Sequence, residues 1–509
     1  MTLLESITRG QYLPSGRKLV LLLIVTFSIT GAVGALASQQ SMLAVAIALT
    51  AVVGLLLMVW PDAPTLAVLF FLYTNAAVVA VQFHGLPFIV GAALPALLIL
   101  PLAHYFIVRR QNLRIDAVSF WIFLFMAVQL IGALSARFPD EAMNNVTTFA
   151  LEGFGLYFLI LNTVRTPKLL RYAVWVLVIA GFLMGALSFY QQATGTMGNN
   201  YAGFAQVSNA AFGTGEETLQ GEVEQARLAG PLGQQNRYAQ VMVMLAPLAL
   251  FLFWGVPSKK LRLLAAIATV FILIGASLTF SRGAAVGFVL MLVVMAFMRY
   301  IKLYQLVVIV LALLLVMQLF PQYGARLDSL QQLVGVVDQD SGGIEAADGS
   351  TRSRVTEMAA AGLVFADHPI VGVGPGMYRH HYREYAEIVG IRIVGDTREA
   401  HNLYLGLAAE NGFFGVITFG AIIYLTLRNL AINRKRWLES HPELANIATG
   451  FILAIVVYLT TGLFLHFAYI RYFWLIMGLA GAMNYIASVA AANAAGEQRA
   501  ITPRQSVAP

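Results

Sequence analysis

The sequence predicts an all-α polytopic membrane protein: a bundle of about 12–14 transmembrane helices with a large loop outside the membrane that contains short helices. Three observations carry this. Of 509 residues, 59% are hydrophobic and only 11% charged, against about 25% charged in soluble domains. Near-continuous apolar runs recur at close to the roughly 20 residues that cross the hydrocarbon. The ten-residue alternating strands of a membrane barrel are absent. The chain has no cysteine, which excludes disulfides, thiolate metal sites and a cysteine nucleophile.

Taken in order, residues 1–17 are polar and carry Arg9 and Arg17. The apolar run 19–37 ends Ala35-Leu36-Ala37-Ser38, similar to a signal-peptidase site. It is longer than a signal peptide's core and reads as an uncleaved first span. Further runs follow at 41–60, 64–83, 86–108, 117–135, 146–164, 172–192, 238–256, 262–280, 283–299, 303–320, 402–427, 446–466 and 469–492. Spans 1–7 thus fill residues 1–192, spans 8–11 residues 238–320 and spans 12–14 residues 402–492. Polar segments 193–237 and 321–401 separate these groups, and 493–509 is a tail. Pro95 and Pro101 predict a kinked or split fourth span. Glu152 falls inside the sixth. No internal repeat is visible, so the paired halves of many transporters are not supported.

The positive-inside rule orients the bundle. With the N-terminus in the cytoplasm, the inside segments hold Arg109, Arg110 and Arg114; Arg165, Lys168 and Arg171; Lys259, Lys260 and Arg262; and Arg428, Arg434, Lys435 and Arg436. Every short inside loop except the Trp60–Pro64 turn carries a basic cluster. The net charge of +7 therefore reflects membrane topology and carries no nucleic-acid signal. Both long polar segments fall outside. Within the second, Val355, Met358, Ala359, Leu363 and Val364 recur at helical spacing. They predict an amphipathic helix over 351–366, stopped by Asp367-His368-Pro369.

Few residues on the outer side have the chemistry for a reaction. Arg227 and Arg237 flank Gly230-Pro-Leu-Gly-Gln-Gln-Asn236 before the eighth span, and Arg282 occupies the tight turn before the tenth. A guanidinium at that depth calls for a partner, and a phosphate matches its planar fork; the bland reading is snorkelling to head groups. Arg237 and Arg471 read as interface anchors. His401, at the start of the twelfth span, has an unperturbed pKa of about 6.5, suited to a general base. Asn402 follows it, and Glu410 sits in apolar sequence, where a carboxylate is costly. The adjacent pair His380-His381 points apart on a helix and is not read as a metal site. Asp338-Gln339-Asp340 resembles the Asp-x-Asp pair of metal-dependent glycosyltransferases, but it lies on the side without nucleotide sugars.

These residues together resemble the bacterial O-antigen ligases and the related O-antigen and exopolysaccharide polymerases and protein O-oligosaccharyltransferases. The resemblance covers roughly residues 225–425. It rests on Arg227-Leu-Ala-Gly with Asn236-Arg-Tyr-Ala239, Thr279-Phe-Ser-Arg282-Gly, His368-Pro-Ile-Val-Gly-Val-Gly-Pro-Gly376, and His401-Asn402 with Glu410-Asn-Gly412. It implies a bacterial inner-membrane glycosyltransferase with cytoplasmic termini and a large periplasmic loop. Such an enzyme moves a glycan from an undecaprenyl-diphosphate carrier to a hydroxyl of lipid A core, a growing polysaccharide or a protein. No cofactor or metal and no nucleic acid is implied; membrane lipids surround it. On this resemblance Arg227 and Arg282 bind the diphosphate, His401 takes the acceptor proton, and Asn236, Asn402 and Glu410 support them. The competing reading is a transporter or flippase that uses the same arginines to recognise an anionic substrate.

Overall fold

The computed structural model describes residues 62–87, 91, 94–212, 223–319, 349–467 and 470–501. Runs 19–37 and 41–60 lie outside the described residues, as do Asp338 and Asp340. The later apolar runs become helices: α1 (Asp62–Tyr73), α2 (Ala76–His84), α3 (Pro95–Ile107), α4 (Ala117–Leu134), α5 (Pro139–Thr163) and α6 (Pro167–Ala193). After the first polar segment come α7 (Gln235–Gly255), α8 (Lys259–Ser277), α9 (Arg282–Phe297) and α10 (Leu303–Leu319). The second polar segment holds α11 (Gly349–Asp367) and α12 (Tyr378–Val389), before α13 (Leu403–Ser440), α14 (Pro442–Thr461) and α15 (Ile470–Ile501). Eight helices among the described residues are long and apolar enough to cross a membrane. The bent pair α1–α2 counts as a ninth, turned by 59° at a left-handed Asn75.

Local chemistry explains the starts. Asp116 accepts the Ser119 amide at 2.8 Å, Thr166 accepts the Leu169 amide at 3.1 Å, and Gln234 accepts the Arg237 amide at 2.7 Å. Each satisfies an amide that a helix N-terminus leaves without an intrahelical partner. Pro95 and Pro101 do split the fourth run, into short 3-10, α and π turns. A helix does cover the expected 351–366, as α11, and stops at Asp367. Its face differs from the one expected: Ser353, Thr356, Glu357, Ala360 and Ala361 are buried, whereas Leu363 is exposed.

Helices α7, α14 and α15 form the centre, each with 78% of its apolar window buried, against 28% for the peripheral α8. Trp474, Tyr157, Tyr238, Phe251, Phe451 and Phe473 are fully buried there. Helices α6 and α8 cross at Gly185 and Gly275, where a β-carbon on Gly185 would stand 2.1 Å from the Phe271 carbonyl oxygen. Without a hydrophobic drive between helices in lipid, such small-residue crossings supply the close packing.

Two features depart from the sequence reading. The segment 193–237 contains an antiparallel hairpin, β1 (Gln206–Phe212) with β2 (Val223–Gly230). Arg237 and Arg471, expected as interface anchors, turn inward instead. Arg237 is 2% exposed and donates to Gln240 and the His466 carbonyl. Arg471 lies 3.5 Å from Glu152 and bonds Asn75, which gives the carboxylate of the sixth run its counter-charge.

The basic residues expected inside gather at one end. Arg114 donates to the Val164 and Arg165 carbonyls, Arg171 pairs with Glu443 at 2.6 Å, and Arg434 donates to Tyr300 and Thr449. The opposite end carries the hairpin, α11, α12 and the starts of α7, α9 and α13.

Candidate active site

Two polar clusters form at that second end. The first is built on β2. The Arg227 guanidinium is 7% exposed and donates to the Thr279 carbonyl at 2.8 Å, the Phe280 carbonyl at 3.4 Å and Asn236 Oδ1 at 3.0 Å. The Leu228 amide also bonds the Leu278 carbonyl, so β2 is stitched to the α8–α9 turn. That turn carries Arg282 as the first residue of α9, after Phe280 at φ +53°. Burial pushes the Arg227 guanidinium down to about 10, with the charges of Arg354 and Arg282 adding to it. It still carries its proton at neutral pH, beside two like charges. Asn236 thus holds Arg227 in place, as a supporting residue would. Arg354, on α11, is a member that the sequence reading did not single out.

The second cluster centres on His401. Its backbone sits at φ +45°, an αL conformation that a residue with a side chain keeps only when its surroundings impose it. Asn402 imposes it: its Oδ1 caps α13 by accepting the Tyr404 and Leu405 amides, and its Nδ2 donates to the Leu463 carbonyl at 3.1 Å. His401 Nδ1 bonds the Glu399 carbonyl at 3.1 Å, and Glu357 Oε2 lies 2.7 Å away as a charge contact without hydrogen-bond alignment. A carbonyl can only accept, so Nδ1 carries the proton and Nε2 presents its lone pair. Glu357 is 1% exposed and stands 3.0 Å from Arg398 Nε, a charge contact without hydrogen-bond alignment. The sequence reading missed Glu357. Its signal was present: Arg354 and Glu357 are three apart on one helix and share a side. Through them α11 joins the arginine cluster to the histidine.

Glu410 is placed elsewhere. Its carboxylate accepts the Gly376 and Tyr378 amides, and its carbonyl accepts the Gly374 amide at 3.0 Å. The glycine-rich loop 370–376 therefore docks on α13 where that helix breaks, at Gly412 (φ +61°, ψ −165°). A β-carbon on Gly412 would stand 2.3 Å from the Ile370 carbonyl oxygen, and one on Gly372 2.3 Å from the Glu410 carbonyl carbon. The two quoted motifs thus fit together through their glycines. Glu410 lines a cavity of about 300 Å³ with Glu399, His466 and Arg379. The His466 ring stands edge-on to His401 with centroids 5.7 Å apart. Burial, then the charges of Arg237 and His401, hold its imidazole well below the usual range. Burial pushes the Glu399 carboxyl up.

His380 and His381 diverge on α12 as expected. His380 faces Glu141 at 3.0 Å, and His381 faces His368. Among the described residues no three His, Asp or Glu side chains are grouped to hold a metal ion.

This arrangement defines a class: a polytopic helical membrane protein with an arginine cluster around the buried Arg227 and an oriented imidazole at one end of the bundle. Residues 267–420 match a family model described as O-antigen ligase (Wzy_C), and over that stretch the resemblance to the O-antigen ligases is borne out. No curated protein matches the chain. The matched stretch runs from α8 into α13 and contains Arg282, Arg354, Glu357, His401, Asn402 and Glu410. Arg227 and Asn236 precede it and reach it through the Thr279-Phe280 turn. The match supports glycan transfer in polysaccharide biosynthesis.

Proposed function

We propose that the protein transfers a glycan from an undecaprenyl-diphosphate carrier to an acceptor hydroxyl at the periplasmic face of the inner membrane. The observation that carries this reading is the convergence of Arg227, Arg282 and Arg354, one helical turn along α11 from the Glu357–His401 pair. His401 Nε2 takes the proton from the acceptor hydroxyl. The acceptor oxygen forms a bond to the anomeric carbon, and the bond from that carbon to the diphosphate oxygen breaks. The diphosphate leaves with the added negative charge, and the arginines stabilise it where it grows. The Glu399 carbonyl holds the imidazole in the tautomer that can act as base, with the Glu357 carboxylate as a nearby counter-charge. In this scheme fixed guanidinium charge takes the place of a divalent cation, so EDTA leaves transfer unchanged.

Arg282→Ala and His401→Ala are each expected to abolish transfer in purified protein supplied with lipid-linked glycan, while the protein remains inserted and folded. Wild-type transfer by either variant overturns the proposal. A deletion strain separates the finer alternatives. Capless lipid A core with carrier-linked chains of normal length marks a ligase, and single carrier-linked repeat units mark a polymerase.

A further inference from the structure

We propose that the 300 Å³ cavity beside His466 is a subsite for one uncharged, hydroxyl-rich sugar residue of the acceptor, and that it rejects acidic sugars. The proposal rests on the transfer reading above and adds the chemistry of the acceptor. At about 300 Å³ the cavity is at the small end of ligand pockets, roughly 300–1,000 Å³, the scale of a single ring.

Charge decides what it takes. Of the charged side chains on its wall, Glu152 lies against Arg471 and Arg379 is paired with Glu141. Glu399 and Glu410 have no ion-pair partner among the described residues and act on each other as like charges. Glu410 already accepts two backbone amides, so Glu399 is the open acceptor: once it is ionised, a phosphate or uronate entering here meets a like charge, whereas sugar hydroxyls donate to its oxygens. The acidic cavity and the arginine cluster are thus chemically complementary stations, one for hydroxyls and one for the anionic carrier.

Two buried acceptors on the cavity wall are open to a ligand. Asn411 is 4% exposed and lines the cavity, and its Oδ1 has no hydrogen-bond partner. His466 Nδ1, on the same wall, has none either. Buried polar atoms are ordinarily satisfied, so such exceptions call for an explanation. Two hydroxyls of one sugar ring can donate to them, one each. Phe149 and Phe467 supply the apolar faces on which the C–H side of a pyranose packs.

The test uses the full chain in lipid nanodiscs with methyl β-glucopyranoside and glucuronic acid as probes, read by saturation-transfer NMR. The wild type is expected to give a glucoside signal at least fivefold above that of glucuronic acid. Gly406→Leu reduces the glucoside signal at least fivefold. Gly406 lines the cavity, and a β-carbon there meets only Ala400 Cβ at 3.5 Å, so the backbone admits a side chain. Glu399→Gln raises the glucuronic acid signal toward that of the glucoside, and keeps the test open should the leucine variant unfold. The absence of a glucoside signal in wild type overturns the proposal. So does equal binding of the two probes, or an unchanged signal in a folded Gly406→Leu. The readout needs no donor and no transfer, so glucoside binding that survives in an inactive Arg282→Ala separates this proposal from the previous one.

Discussion

At the scale of single residues, the His401–Glu357 contact is the arrangement from which function follows most directly. The Glu399 carbonyl fixes which nitrogen carries the proton, and the Glu357 carboxylate places a negative charge 2.7 Å from the ring that gains a proton during transfer. Glu357→Gln keeps the shape and removes that charge. We expect transfer to fall on the order of 100-fold in kcat, within general acid–base magnitudes, with KM for the carrier-linked donor nearly unchanged. Arg354→Ala should do the reverse and raise that KM, because it removes charge that faces donor and transition state alike. Parallel steady-state kinetics separate the two, and a pure KM effect of Glu357→Gln would remove it from the proton path. Glu399 makes a prediction about pH. Its folded pKa is raised by burial, so the folded state holds a proton that the unfolded chain releases near pH 4.3. The stability it contributes is full below that pH and is lost as pH rises through the folded value. Glu399→Gln should flatten this decline in a thermal unfolding series from pH 4 to 8, and an unaltered slope would refute the assignment.

At the scale of elements, the break in α13 is what lets one helix serve two sites. Leu403–Asn411 carries the Asn402 cap and Glu410, and the chain then re-enters a helix beyond Gly412, whose backbone conformation is essentially restricted to glycine. Gly412→Ala should cost at least about 1–3 kcal/mol from backbone strain, with the Ile370 contact adding to it. A melting temperature matching wild type in detergent would show that the break is not required. How far the elements were legible follows from the same physics. Length and hydropathy were enough for the spans, because burial in lipid demands continuous apolar helix. The spacing over 351–366 was enough for the existence of α11 but not for its buried face, because tertiary contacts turn Ser353, Thr356 and Glu357 inward and leave Leu363 exposed. The hairpin was not legible. Gln206-Val-Ser-Asn-Ala-Ala-Phe212 lacks a clean apolar alternation, and β2 is held by docking on the α8–α9 turn. Arg227, Arg282 and His401 could be singled out because each is a charged or titratable group beside a span. Glu357, Arg354 and Glu399 sit in polar sequence, where such residues are unremarkable until tertiary contacts bring them together.

At the scale of the whole molecule, both proposals need one geometric fact: every polar station opens to the same compartment. Contacts already tie them to one end, through Arg227 on the α8–α9 turn, Glu357 on His401 and Arg237 on the His466 carbonyl. The basic loops gather at the other end, and the positive-inside rule predicts a cytoplasmic placement for it. The absence of native cysteine makes single-cysteine labelling clean. Asn200 and Ile388 are exposed at the first end, and Lys260 and Glu439 at the second. Cysteines at 200 and 388 should react with a membrane-impermeant maleimide in intact spheroplasts. Those at 260 and 439 should react only after permeabilisation. If 200 and 388 needed permeabilisation too, the site would face the cytoplasm and a periplasmic acceptor would be out of reach. A split between 200 and 388 would place the hairpin that carries Arg227 and the segment that carries His401 on opposite sides. The diphosphate and the base could not then meet on one substrate, whatever the single-residue kinetics returned.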